Sequence, residues 1–195
     1  MMTVIAATGN EHKLRELKEI LGKYGMNVIS QEEAGFGDVD IVEDGESFDE
    51  NSFIKAEAIM ELSGQIAVAD DSGLEVDYLN GAPGVHSARY AGEHKSDEDN
   101  NNKLLKELEG VPAEQRTAQF VSVVTLMYPD GRMVSARGFC PGQILFEPRG
   151  TGGFGYDPLF LPDGQDQTFA EMDQETKNKI SHRANALKNL ESMLK

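Results

Sequence analysis

Val4-Ile5-Ala6-Ala7-Thr8-Gly9-Asn10-Glu11-His12-Lys13 decides the fold, because an apolar strand ends within it and a helix begins. Val4 to Ala7 read as a short buried strand. Beyond Lys13, the apolar residues Leu14, Leu17, Ile20 and Leu21 recur at helical spacing. A glycine and a small hydroxyl at such a junction let backbone N–H groups and a helix N-terminus face an anion, and Lys13 adds a full charge. That is one way to hold phosphate; an ordinary strand-to-helix turn with an exposed lysine is the other reading. The G-x-x-x-x-G-K-[ST] pattern is absent, so the segment is not a P-loop.

Working outward, the pattern predicts a helix over about Lys13–Tyr24, closed near Gly22 and Gly25, and a second strand over Met26–Ile29. An acidic, glycine-punctuated stretch follows from Gln31 to Glu46. Ser47-Phe48-Asp49-Glu50 matches a capping box and predicts a helix running to about Leu62 and stopping at Gly64. Ile66–Ala69 is a further buried strand, ending at Asp70-Asp71-Ser72-Gly73. Leu74, Val76 and Tyr78 then alternate with polar residues as in a half-exposed strand. A polar helix is expected over Asp97–Leu108. Thr117–Tyr128 and Met133–Gly138 flank Pro129-Asp130-Gly131-Arg132, the chemistry of a hairpin turn. A glycine-rich loop spans Gly150–Gly155, and a C-terminal helix carries Ile180, Ala184, Leu187, Leu190 and Leu194 on one face. Early βαβ units followed by a long hairpin place the chain in the α/β class, as a mixed sheet wrapped by helices.

The 195 residues, 39% of them apolar, suffice for a real core and are read as a single domain over 1–195. The longest apolar runs are too short to cross a bilayer, and no basic segment precedes an apolar one, so a cytoplasmic protein with no membrane partner is expected. The single Cys140 excludes an intrachain disulfide framework and reads as a small core hydrophobe. The net charge of -16 argues against a nucleic-acid polymer as partner, since counterion release needs a basic surface. A small polyanion requires only a few cations converging on one cleft, with Mg²⁺ offsetting the remaining charge.

Four clusters are candidates for chemistry. Asp70 and Asp71 leave a buried strand, where open α/β sheets bind ligands and where Mg²⁺ is held by one or two carboxylates plus substrate phosphates. Asp71 can also accept a proton from water; a turn in which the carboxylates cap their own backbone is the competing reading. Glu43 and Lys55 look like a solvated acidic loop residue and an ordinary helical lysine. Gly150-Thr151-Gly152-Gly153-Phe154-Gly155 matches G-x-G-x-x-G, but it precedes Tyr156-Asp157-Pro158 instead of a helix, which argues against a Rossmann dinucleotide site. The glycines permit close backbone approach, and Phe154 and Tyr156 offer flat surfaces to a base. Lys177, Ser181, His182 and Arg183, at the start of the C-terminal helix, form a polar cluster able to grip a base edge or phosphate. His12, His86 and His94 show no ligand spacing.

Taken together, Thr8-Gly9-Asn10-x-x-Lys13, Ser47-Phe48-x-Glu50-Asn51 with Lys55, Ala69-Asp70-Asp71-Ser72-Gly73-Leu74, Gly81-Ala82-Pro83-Gly84 with Ser87-Ala88-Arg89-Tyr90, Gly150 through Pro158, and Ser181-His182-Arg183 resemble the inosine triphosphatase family over nearly the full chain. This family is also called Ham1-like or non-canonical purine nucleoside triphosphate pyrophosphatases. The resemblance implies an elongated mixed sheet flanked by helices, with two lobes and a central nucleotide cleft, in a homodimer. It implies Mg²⁺-dependent hydrolysis of ITP, dITP and XTP to the monophosphate and pyrophosphate. By position, Thr8, Gly9, Asn10, Glu11, His12 and Lys13 would bind the triphosphate, with Lys13 and Lys55 catalytic. Asp71 would hold metal and accept the proton, and Ser72 would contact substrate. Phe154, Gly155, Tyr156 and Asp157 with His182 and Arg183 would surround the base, and Lys177 would bind nucleotide. Many relatives have two consecutive acids where this chain has Val42-Glu43; Glu43 would take the metal-ligand role from the neighbouring position, although a one-residue shift in extended chain reverses the side chain's face. Related Maf-like pyrophosphatases and a non-catalytic nucleotide-binding module are the alternatives.

Overall fold

The computed structural model describes residues 2–194. In chain order the elements are β1 (Met2–Ala6), α1 (Glu11–Gly22), β2 (Met26–Ser30), α2 (Phe48–Ser63), β3 (Ala67–Val76), α3 (Asp97–Glu107), β4 (Thr117–Met127), β5 (Met133–Ile144), β6 (Phe160–Pro162), α4 (Gln174–Ile180) and α5 (His182–Leu194). The strands form one sheet in the order β2-β1-β3-β4-β5-β6. β1 pairs in parallel with β2, Val4 opposite Val28, and with β3, Ile5 opposite Ala67. β5 and β6 are antiparallel, with Ile144 opposite Phe160. The expected mixed α/β sheet is therefore present. Among the described residues no helix is long and apolar enough to cross a membrane.

Local chemistry sets the element ends. Asn10 caps α1, its side-chain oxygen accepting from the amides of His12 and Lys13. Ser47 does the same for α2 through the Glu50 amide, and Gly64 closes that helix with φ 64, donating to Met60 O. Between β4 and β5, the Tyr128 amide donates to Arg132 O, as the turn residues predict.

The chain divides into two compact units, Met1–Asp71 with Ser122–Gly138 and Arg183–Lys195, and Ser72–Val121 with Phe139–His182. In the first unit, strand alternation splits the core into two layers. Val4, Ala6, Val68, Val124 and Leu126 pack with Leu17, Ile20 and Leu21 of α1 and Ala184, Leu187 and Leu190 of α5. Ile5, Ala7, Ala67, Ala69 and Met127 face Ala56 and Ile59 of α2. Burying each Val, Leu, Ile or Met among these contributes roughly 1.5–3 kcal/mol before entropy is counted. The second unit is built around Phe120, Phe160 and Phe169, with Leu74, Leu104, Leu108, Ile144 and Cys140 around them. Phe120 and Phe160 meet edge to face, their centroids 4.6 Å apart.

Two expectations are corrected. The strand expected to end at Ala69 continues through Asp70-Asp71-Ser72-Gly73 to Val76, so no turn forms at the carboxylates. The period of two sends Asp70 to the face of Val68 and Asp71 to the face of Ala69, and each finds cations there, which is what lets charged residues sit in a buried strand. The C-terminal helix is two helices. Ser181 is extended (φ -65, ψ 157) and fully buried, so Lys177 belongs to α4 and Arg183 to α5. As a result Ile180 packs with the aromatic core of the second unit, and Leu194 is 37% exposed, off the buried face expected for it.

Candidate active site

The first unit holds a continuous charged network built on β3. On one face, Arg183 of α5, with no exposed surface, grips Asp70 with Nε on Oδ1 and Nη2 on Oδ2, both at 3.1 Å. Its Nη1 binds Glu16 of α1, and the Ser122 hydroxyl donates to Asp70 Oδ1. Lys13 Nζ adds a contact to Asp70 Oδ2 at 3.0 Å. Burial alone would raise the Asp70 carboxyl, but the charges of Arg183 and Lys13 and these hydrogen bonds hold it well below the usual carboxylate range. Asp70 is thus a fixed anion.

On the other face Lys55 of α2 reaches three oxygens: Asp70 O at 2.9 Å, Glu43 Oε2 at 3.1 Å and Asp71 Oδ1 at 3.3 Å. Desolvation works against its charge, and Asp71, Glu43 and Asp70 outweigh it, so the ammonium is held above its ordinary range. Asp71 shifts upward. Its burial is the largest influence, Glu43 and Asp70 add to it, and Lys55 and Lys13 oppose it. Asp71 Oδ2 is buried with no hydrogen-bond partner, one of few such side-chain atoms among the described residues.

Glu43 reaches this group because the loop before α2 is tied to the helix start. Buried Asn51 accepts from the Gly45 amide at 2.9 Å, and Glu50 accepts from the Glu46 amide at 2.6 Å. A Cβ at Gly45 would lie 2.7 Å from Asn51 Oδ1, so only glycine fits this close approach. The resemblance implies Mg²⁺, and the residues fit it: Asp71 Oδ2 is an orphaned hard oxygen, and Glu43 reaches the same ammonium. Among the described residues no three His, Cys, Asp or Glu side chains come together as a closed metal cage. A Mg²⁺ site shared with substrate phosphates needs no such cage.

In the second unit Lys177 Nζ lies 2.8 Å from Asp157 Oδ2 and 4.8 Å from the Phe154 ring centroid. The same carboxylate oxygen accepts from the Phe154 amide at 3.1 Å. Tyr156 is buried, its hydroxyl donating to Ser87 O at 2.6 Å. Gly150 and Gly152 lie against the Ala170 backbone, where a Cβ would come within 2.6 and 2.9 Å respectively. The loop is therefore a tightly seated platform with Phe154 on it.

Lys13, Lys55, Asp71, Glu43 and Arg183 are brought into one network. Phe154, Gly155, Asp157 and Lys177 are brought into another. His182 and Arg183, expected beside the base, are both buried and engaged within the protein. His182 is 4% exposed and stacks on Phe120 with centroids 4.7 Å apart, and the Arg183 guanidinium is engaged by Asp70 and Glu16. At the Thr8–Lys13 turn, two helix-start amides expected to face an anion are taken by Asn10 Oδ1, which leaves Lys13 as the main attraction there. Sequence reading missed Glu16 and Ser122. Glu16 could have been found: it sits three residues after Lys13 and four before Ile20, a carboxylate on the buried stripe. Ser122, in an apolar strand, carried no such signal.

The Ham1 family model matches residues 4–193. The chain belongs to the Ham1 family. Similar proteins include the dITP/XTP pyrophosphatase of Desulforamulus reducens, 54% identical over 188 residues, covering 96% of this chain and 92% of that one. The dITP/XTP pyrophosphatase of Bacillus subtilis is 47% identical and covers 100% of this chain and 98% of its own. The fold is that of solved Ham1 proteins. The Staphylococcus aureus structure superposes with a TM-score of 0.87 at 41% identity, covering 98% of this chain and 97% of that one, and the Coxiella burnetii structure with 0.88 at 40%, covering 100% and 98%.

Proposed function

We propose that this Ham1-family protein hydrolyses dITP, ITP and XTP to the monophosphate and pyrophosphate with Mg²⁺, clearing deaminated purines from the nucleotide pool. The chain is a nucleoside-triphosphate pyrophosphatase, as are the dITP/XTP pyrophosphatases about half identical to it over nearly their whole length. The observation that carries the mechanism is Asp71: a buried carboxylate with one oxygen on Lys55 and the other without a partner.

The network of the first unit is assigned to the triphosphate. Lys13 and Lys55 supply positive charge where negative charge accumulates as the anhydride bond breaks, and preorganised charge of this kind carries most of the catalysis in phosphoryl chemistry. Thr8, Gly9, Asn10, Glu11 and His12 form the turn that presents Lys13, and Ser72 follows the catalytic carboxylate. Asp71 is assigned as acceptor of the attacking water's proton, being a buried carboxylate fixed by Lys55 through its other oxygen. Asp71 and Glu43 would hold Mg²⁺, which offsets phosphate charge when bound. Arg183 holds Asp70 rigid behind this group.

The platform of the second unit is assigned to the base. Phe154 offers its face, and Lys177 and Asp157 offer a donor and an acceptor. A donor facing the 6-oxo group of hypoxanthine or xanthine would face the 6-amino group of adenine and stay unpaired, which disfavours ATP. The two units are proposed to work as one domain in a cytoplasmic homodimer.

A panel of nucleoside triphosphates incubated with Mg²⁺ and the purified protein, scored for pyrophosphate, tests this reading. Turnover of dITP and XTP well above that of dATP and dTTP is expected. Faster turnover of dTTP would favour the Maf-like alternative.

A further inference from the structure

The platform carrying Phe154 is fastened from a direction the reaction does not explain. Gly155, the residue after Phe154, has both backbone groups held by α3. Its amide donates to Asp97 Oδ2 at 2.7 Å, and its carbonyl accepts from Asn101 Nδ2 at 3.0 Å. Asp97 and Asn101 are one helical turn apart, so they face the loop together and hold the two peptide groups that flank the Gly155 Cα. Beside this grip the contact opens into a cavity of about 360 Å³, lined by Asn102 and Leu105 of α3 and by Pro148, Gly152 and Phe154 of the loop. Asn101 Oδ1 is buried with no hydrogen-bond partner, so this amide is turned to serve Gly155 at the cost of its own acceptor. A side chain kept only for packing would avoid that cost.

We propose that Asp97 and Asn101 are positioning residues for purine selection: through Gly155 they fix the height and tilt of Phe154, and so the fit of the base. This rests on the assignment of the platform to the base. Neither residue touches the reacting atoms. Their loss should weaken and blur base recognition while leaving the hydrolytic step near its normal rate. Asp97→Asn keeps an oxygen able to accept from the Gly155 amide and should restore recognition.

The test compares Asp97→Ala, Asn101→Ala and Asp97→Asn with the wild type, using dITP and dGTP. For the two alanine variants KM for dITP should rise about tenfold with kcat within about threefold, and preference for dITP over dGTP should fall. Asp97→Asn should lie near wild type. Hydrogen exchange at the Gly155 amide, read without substrate, should speed up about tenfold or more in Asp97→Ala. A fall in kcat at unchanged KM, the mark of a merely structural role, would overturn the proposal, as would unchanged exchange and unchanged KM. A wild-type protein inactive on dITP would bring down the assignment of the platform itself. An active wild type with unperturbed alanine variants would bring down the latch alone.

Discussion

Asp70 and Asp71 are neighbours in sequence with opposite surroundings, and strand geometry separates them. Asp70 is closed in by Arg183, Lys13 and Ser122, whereas Asp71 keeps one oxygen without a partner. Replacing Asp71 with Asn should therefore lower kcat by about 10²–10⁴-fold while dITP still binds, checked by pyrophosphate release and by calorimetric titration. Full activity in that variant would contradict the base role. Arg183 belongs to stability. Arg183→Met leaves the buried Asp70 and Glu16 carboxylates without their guanidinium and should cost about 3–5 kcal/mol, read from urea unfolding. A change under about 0.5 kcal/mol would show that the pair contributes nothing. That the two carboxylates stand out was legible in the sequence, but their separation onto opposite faces of β3 was not. It depends on β3 running straight through a stretch whose Asp, Ser and Gly composition reads as a turn, and on cations from α1, α2 and α5 that no local pattern brings together.

At the scale of elements, the caps and turns written in the sequence formed as expected, because their chemistry is local: Ser47 at the start of α2, Gly64 at its end, and the Pro129–Arg132 hairpin. The break at Ser181 was hidden, since serine is tolerated in a helix and its extended conformation goes with full burial. Glycines separate in the same way. Gly150 has φ +88, and a Cβ there would press on the Ala170 backbone, so Gly150→Ala should destabilise the protein by about 1–3 kcal/mol. Gly22, at the exposed end of α1, meets nothing within 4 Å, and Gly22→Ala should stabilise by about 0.5–1 kcal/mol. Urea midpoints of the two variants moving in the same direction would contradict this account.

For the molecule as a whole, the acidic composition conceals where its cations are. The net charge is -16, yet Lys13, Lys55, Lys177 and Arg183 are all largely buried beside carboxylates, a concentration that an average over the sequence cannot display. The α/β class was readable from the order of elements, whereas the extent of β3, β4 and β5 follows from long-range pairing. Integrity of the fold can be followed at Cys140, where burial pushes the thiol up to about 12. The thiolate is the reactive form, so at pH 8 the native protein should react with a thiol reagent only as it unfolds, with a rate rising in step with urea. Rapid labelling in buffer would show that the second core is open. The most direct test of the central claim is phosphorus NMR of dITP during turnover with Mg²⁺. The account predicts dIMP and pyrophosphate appearing together in equal amounts; dIDP with orthophosphate as the first products would contradict it.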